Sequence, residues 1–362
     1  MKRQFSAIAI ALALSAGSGF AADLPSMKAP LYIPPPPPPM WTGFYAGLNA
    51  GFGWGATTNA NTVSAPLLDG VAGQANALDP VRQIAGTGLA SGSAALANSG
   101  IASVIQNGFI GGGQIGYNYQ WTEHVVVGLE ADFQGSLIKG SGNYAGASQD
   151  SISWKDPYIP GLSPCVTNGC TFTRSALGVG LVNAGVDWMG TVRGRVGYLV
   201  TPTTLVYATG GLAYGGVHAS STNGGAIPAT LTGANNAQYP TPYPYSQFNG
   251  SYVFPMTAGQ GNYCNTQVGW IGGAGVEWMF APNWSLKAEG LYYDLGGGRI
   301  YSSPVALPSP LGVNLGGINV AAGQLLMANS PVTHVRFDGV IARAGVNYHF
   351  NWGAPAPVIA KY

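Results

Sequence analysis

Charge is scarce in this chain. Lys, Arg, Asp and Glu together make up 7% of its 362 residues, where a typical soluble domain carries about 25%. Lys and Arg total 14 against 13 Asp and Glu. No basic stripe exists to follow a phosphate backbone, so no nucleic-acid partner is expected. Cysteine is nearly missing as well. Cys165, Cys170 and Cys264 are too few for a disulfide scaffold. Histidine is limited to His124, His218, His334 and His349, none of them near the cysteine pair, and neither a metal nor a cofactor is expected. Beyond the N-terminus no run of 18 apolar residues occurs, which excludes a helical membrane span.

What the chain has instead is glycine, 56 residues, and aromatics at 11%. Few charges with many aromatics and no helical span leave two homes, an outer-membrane barrel or a glycine-rich extracellular fibre. The N-terminus favours export. Lys2 and Arg3 precede the short apolar stretch Ile8–Leu14, and Gly19 and Ala21 are small residues at the spacing of a signal-peptidase site. Residues 1–21 therefore read as a signal peptide cleaved near Ala21. Residues 22–40 read as a periplasmic linker, since Pro34 to Pro39 force an extended polyproline II spacer.

From Trp41 onward one theme repeats. Segments alternate between an apolar or aromatic residue and a small or polar one, the period-2 signal of strands with two different faces. In 125–137, Val125, Val127, Leu129, Ala131, Phe133 and Leu137 oppose Val126, Gly128, Glu130, Asp132, Gln134 and Ser136. In 187–200, Trp188, Val192, Val196 and Tyr198 oppose Asp187, Thr191, Arg193 and Arg195. Segments 107–121, 270–280, 284–295 and 339–350 behave alike, and 42–54 and 204–217 follow less cleanly. The spacing predicts eight strands, each long enough for the 9–11 tilted residues of a membrane strand.

Three connections are very short: 122–124, 201–203 and 281–283. The others, near 55–106, 138–186, 218–268 and 296–338, are rich in Gly, Ser, Asn and Pro and read as long loops. Short turns on one rim and long loops on the other is the outer-membrane arrangement, turns periplasmic and loops extracellular. In lipid every backbone N–H and C=O must find a partner within the protein, and closing the sheet removes its unpaired edges. The expected fold is therefore an all-β, transmembrane, antiparallel up-and-down barrel of eight strands over 41–350. A short extension, 351–362, follows, and no peptidoglycan-binding domain is expected after the last strand. Trp121, Trp188, Tyr198, Trp278, Phe280, Trp284, Tyr348 and Phe350 are expected beside the short turns as an interfacial aromatic girdle.

Four of these strands carry stretches that resemble a known family. Trp41-Thr-Gly-Phe-Tyr-Ala-Gly47, Asp187-Trp-Met-Gly-Thr-Val-Arg-Gly-Arg-Val-Gly-Tyr198, Trp284–Gly296 and Arg343–Phe350 are similar to strands of the small alphaproteobacterial outer-membrane proteins, labelled outer membrane immunogenic protein or porin-family protein. The resemblance covers barrel strands between 41 and 350; the long connections match nothing in it. Members usually stop at the terminal Phe, whereas here 351–362 follow Phe350. The resemblance implies an outer-membrane location and structural or surface-antigen roles. Such an address implies contact with outer-membrane lipid, lipopolysaccharide and the outer-membrane assembly machinery; nothing in the sequence speaks to oligomeric state.

Parity places eight charges inside the barrel: Glu130, Asp132, Glu277 and Glu289 against Arg193, Arg195, Lys287 and Arg343. An eight-stranded barrel is only wide enough for its own side chains, and charges there must be paired. A polar plug is the expectation, with a narrow conducting path as the alternative. Cys165 and Cys170 flank an Asn-Gly turn and are a candidate local disulfide in an oxidising compartment, with two free thiols as the other reading. A barrel enzyme is a third and weaker reading. His218 and His334, with Asp338, lie near the outer rim, but no nucleophile is marked beside them.

Overall fold

The computed structural model describes residues 41–67, 87–154, 170–232, 250–308, 313–315, 318–320 and 325–350. The segments read as signal peptide and linker, Cys165 and residues 351–362 lie outside them, as does the side chain of Cys170, so the disulfide reading falls outside the described residues too.

The strands are β1 (Gly43–Gly55), β2 (Asn59–Pro66), β3 (Gly100–Ser103), β4 (Asn107–Gln120), β5 (Val125–Trp154), β6 (Cys170–Thr201), β7 (Thr204–Thr232), β8 (Gly250–Ala281), β9 (Trp284–Tyr301), β10 (Val305–Pro308), β11 (Val313–Leu315), β12 (Ile318–Val320) and β13 (Leu325–Phe350); one helix, α1 (Thr87–Ala97), lies between β2 and β3. The order β1-β4-β5-β6-β7-β8-β9-β13 is closed by antiparallel pairing of β1 with β13, from Phe44↔Phe350 to Gly55↔Gly339. Eight strands close into a ring through the apolar belt, and above it β8 continues beyond its pairing with β9, which runs from Trp270 to Ala281. β2 carries the β1 line upward along β13, with Asn61 opposite His334. β3 pairs with β2, Asn59 opposite Ser103, and leads into β4.

At one end the strands join through the three short turns. Leu199 N–H donates to His124 O, Met279 N–H to Thr203 O and His349 N–H to Asn283 O, and the buried Trp41 donates its indole N–H to Pro202 O at 3.0 Å. Just above this rim, Trp121, Tyr198, Trp278, Phe280, Trp284 and Tyr348 face outward, with Phe350 stacked edge-on against Tyr348.

The other end corrects the sequence reading. The stretches read as long loops are in large part strand, because β5 to β8 run 30, 32, 29 and 32 residues. The outward apolar run of β5, Val125 to Leu137, rises about 30 Å at about 3.3 Å per residue and a tilt near 40°, the thickness of a hydrocarbon core. The whole of β6 rises about 80 Å on the same footing. The barrel therefore stands tall above the membrane. The alternation that marks a membrane strand disappears there because its cause does. Once the outside meets water, Lys139, Ser141 and Asn143 can face out while Ile138 and Tyr144 face in.

Two further corrections follow from register. A bulge on β6 between Val186 and Trp188 leaves Asp187 as the extra residue. It turns outward onto His218, Oδ2 to Nδ1 at 3.0 Å, rather than into the lumen. Trp188, read as part of the periplasmic girdle, sits opposite Gly135 and Gly216, far from the 201–203 turn. It packs against Phe133 and Tyr214, with ring centroids 5.5 and 6.0 Å away. With Trp270 on Tyr292 and Phe52 on Trp54 it belongs to a second aromatic ring at the outer boundary. The sequence reading failed there because Trp188 has girdle chemistry and outward parity, and only its height was misjudged.

Candidate functional site: the filled lumen

The interior is layered. At the periplasmic end Trp41, Val126, Leu199, Leu205, Tyr207 and Met279 form an apolar floor. Above it lies a charged layer. Above that, at the level where the barrel leaves the membrane, an apolar core contains Ile110, Ile138, Val182, Val186, Met189, Ile271, Leu291, Phe337 and Ile341. α1 lies at the top. Ala94 and Ala97 of that helix are buried with Ala176 of β6, Ile227 of β7, Met256 of β8 and Val305 of β10.

Parity delivers the charged layer. Glu130 and Asp132 are neighbours on the inner face of β5, Arg193 and Arg195 on β6, Lys287 and Glu289 on β9, while Glu277 and Arg343 come from β8 and β13. In register, Glu130 stands opposite Arg193, Glu277 opposite Lys287, and Arg343 opposite Glu289. Each of these side chains is at most 1% exposed.

The eight interlock. Glu130 accepts from Arg193, from Lys287 Nζ at 2.8 Å on both oxygens and from Tyr45 OH at 2.6 Å. Asp132 Oδ2 takes Arg193 Nη2 and Arg343 Nη2, each at 2.9 Å. Glu289 takes Arg343 Nη2 at 2.7 Å, Lys287 Nζ at 3.1 Å and Tyr207 OH at 2.7 Å. Glu277 takes Arg195 Nη2 at 2.7 Å, Ser285 Oγ at 2.6 Å and Asn347 Nδ2 at 2.7 Å. Four carboxylates face four cations, so the layer is neutral as a whole, and every carboxylate has at least two donors. That is the condition under which buried charge is tolerated.

Two tyrosines complete the layer, and sequence reading missed both as site residues. Tyr45 and Tyr207 face inward, and the Arg195 guanidinium lies over both rings, 5.2 and 4.7 Å from their centroids. Their strands were the two with the least clean alternation. The signal present was parity, since Tyr45 alternates with the outward Phe44 and Ala46. Glycine makes room for them. A Cβ on Gly116 would lie 2.3 Å from the Tyr45 ring, and one on Gly275 would lie 2.6 Å from the Tyr207 hydroxyl.

The histidines scatter. His124 stacks on Tyr198 in the first turn. His334 is exposed opposite Arg299. Asp338, read with it near the outer rim, is buried and holds Thr57 N–H at 3.1 Å and Thr57 Oγ1 at 2.8 Å. His349 lies in the lumen floor with its Nε2 2.9 Å from Ser285 Oγ and 3.4 Å from Glu277 Oε1. Ser285, His349 and Glu277 thus meet, yet in the wrong order for a nucleophile relay. The carboxylate grips the hydroxyl and the same ring nitrogen, where a relay needs it on the far nitrogen. All three are at least nine-tenths buried. Cys264 is an exposed free thiol, opposite His218 in the β7–β8 ladder.

No protein-family model matches the chain. It is similar to the 31 kDa outer-membrane immunogenic proteins of Brucella melitensis and Brucella suis, each 35% identical over 198 residues. The match covers 55% of this chain and 58% of the relative, so the chain spans less than two thirds of the length of the curated relatives it matches. Among solved structures it is similar to the outer membrane protein OprG from Pseudomonas aeruginosa, at 10% identity and TM-score 0.30, covering 86% of this chain and 97% of that one. It is also similar to the outer membrane protease OmpT from Escherichia coli, at 12% identity and TM-score 0.23, covering 84% and 97%. Sequence kinship and the closed, apolar-belted ring together make this chain a surface protein of the outer membrane.

Proposed function

We propose that the protein is a non-catalytic, non-conducting surface barrel, a pillar that lifts its extracellular tips well above the lipid. The observation that carries this reading is the lumen. Lys287 on β9 and Glu130 on β5 bond across the ring, four strands apart in either direction. With the apolar floor below, the apolar core above and α1 over that, an ion would have to break a salt bridge and enter two dry layers. The expected absence of catalysis rests on the same packing, since the Ser–His–Glu meeting seen among the described residues is buried and wrongly ordered. Outer-membrane lipid, lipopolysaccharide and the assembly machinery are its proposed partners.

The narrow-porin alternative is favoured by the polar middle layer, and conductance decides between them. Purified folded protein in a planar bilayer should leave the membrane silent. Discrete, reproducible current steps from the wild-type protein would replace the pillar with the porin.

A further inference from the structure

The outward-facing cations share one side of the apolar belt. Among the described residues whose side chains are placed, those that point out of the barrel wall are Lys139, Arg299 and Arg336. None lies within the apolar belt. Lys139 follows Leu137, the last apolar residue of its outward run; Arg336 and Arg299 lie further up their strands than Val340 and Tyr292, the last of theirs. Two of the three are neighbours. Arg299 of β9 stands opposite His334 of β13, and Arg336 stands opposite Gly297, so the two arginines sit diagonally across one ladder. Cross-strand diagonals are within reach for long side chains.

The two arginines are held differently. Arg336 gives Nη2 to Asp294 Oδ2 at 2.6 Å while the side chain stays 54% exposed, so part of its donor fork faces outward. Arg299 has no ion pair among the described residues and is exposed. Below them Trp270 packs on Tyr292 with ring centroids 5.4 Å apart, at the depth where aromatics mark the lipid boundary. Tyr301 is exposed above. An anion carried by a large amphiphile suits this placement, with apolar chains against the belt and its charged headgroup reaching the arginines above the aromatic ring.

We infer that Arg299 and Arg336, with His334 between them, form a binding site for the phosphate of an outer-leaflet glycolipid. Arginine is suited to it, because its planar fork matches phosphate oxygens in pairs. Asp294 fixes the Arg336 fork, and Asp338, opposite Asp294 in the ladder, is buried and already held by Thr57 and Tyr292, so the groups turned outward for an anion are the Arg299 guanidinium and the exposed part of the Arg336 fork. The site rests on the outer-membrane reading above, since it needs a lipid surface at that height.

The test uses the full barrel reconstituted in phosphatidylcholine vesicles with either bisphosphorylated or dephosphorylated lipid A as the probe. Insertion is followed by the heat-modifiable gel shift. The wild-type protein should bind the phosphorylated lipid in preference. The Arg299→Gln/Arg336→Gln variant should lose about tenfold in affinity for it and keep its affinity for the dephosphorylated form. Arg299→Gln alone, which breaks no ion pair, should show part of the loss. Equal binding of phosphorylated lipid by variant and wild type, or no preference in the wild type, would overturn the site while the barrel stands. A wild-type protein that never inserts would overturn the barrel and the site with it.

Discussion

Lys287 and Glu130 stand at opposite points of the eight-stranded ring, and the ammonium of one lies 2.8 Å from both carboxylate oxygens of the other. On the proposed reading this contact closes the lumen, each charge depends on its partners, and the energetics of the barrel follow from it.

Removing one cation should therefore be costly. Arg193 serves Glu130, Asp132 and Glu289 together. Arg193→Ala leaves three buried carboxylates short of a donor, and breaking such a pair costs about 3–5 kcal/mol. Urea unfolding in detergent micelles should show a loss of that order. Glu130→Gln with Arg193→Met keeps the layer neutral, and Lys287 retains Glu289 at 3.1 Å, so the double variant should recover most of the loss. If the single variant unfolds with the wild type, the charges are hydrated and the lumen is wider than the geometry gives.

Tyr45 offers an independent probe of the same layer. Gly116→Ala puts a methyl 2.3 Å from its ring, and the ring is pinned by its 2.6 Å bond to Glu130. Overpacking of this kind costs about 1–3 kcal/mol. The variant should be destabilised by that amount, whereas Gly113→Ala, with its nearest neighbour 3.9 Å away, should be close to neutral. Equal effects at the two glycines would mean that Tyr45 is free to move.

The membrane half of this fold was legible in the sequence because lipid imposes a rule on every outward position. Phe133, Val192 and Val346 face out, Asp132, Arg193 and Asn347 face in, and strict alternation reports it. Above the lipid the rule lapses. On β6 the outward set becomes Asn183, Leu181 and Val179 and the inward set Ala184, Val182 and Gly180, which no polarity test separates. The inward set also changes parity at the Asp187 bulge. Pairing among the charges was legible in kind, since four faced four. The diametric contact was not, because it depends on how far each strand is displaced along its neighbours, and hydropathy carries no record of that.

If the upper barrel is strand, its amides should be slow to exchange. Ile138, Val182 and Phe337 are fully buried and lie in segments that a loop model would leave open. Hydrogen exchange should find 138–146 and 178–186 protected nearly as well as the membrane belt. Exchange within seconds across both segments would return them to loops.

Tyr144 gives the same region a pH signature. Its hydroxyl donates to Asn98 O at 2.7 Å, with Asn223 Oδ1 2.8 Å away, and burial pushes the phenol up to about 12. The folded state then keeps a proton that the unfolded chain releases near its ordinary value of about 10. Stability tied to this group is fully present below pH 10 and falls as pH rises from about 10 to 12. Tyr144→Phe should be less stable at neutral pH, having lost its hydrogen bonds, yet show a shallower alkaline decline. Parallel slopes for the two proteins would mean that the hydroxyl is not buried in the folded barrel.

Topology is open to a direct chemical test through Cys264. The thiol is exposed on β8, opposite His218 and above the Trp270–Tyr292 pair. With the short turns in the periplasm, it faces the medium outside the cell. A membrane-impermeant maleimide should therefore label it on intact cells, and Cys264→Ser should remove that label. Labelling at Cys264 only after the outer membrane is permeabilised would place the tall end of the barrel in the periplasm. The α1 stopper, the Asp187–His218 pair and the two arginines would then all lie on the inner side, and the proposed pillar would point away from the surface it is meant to serve.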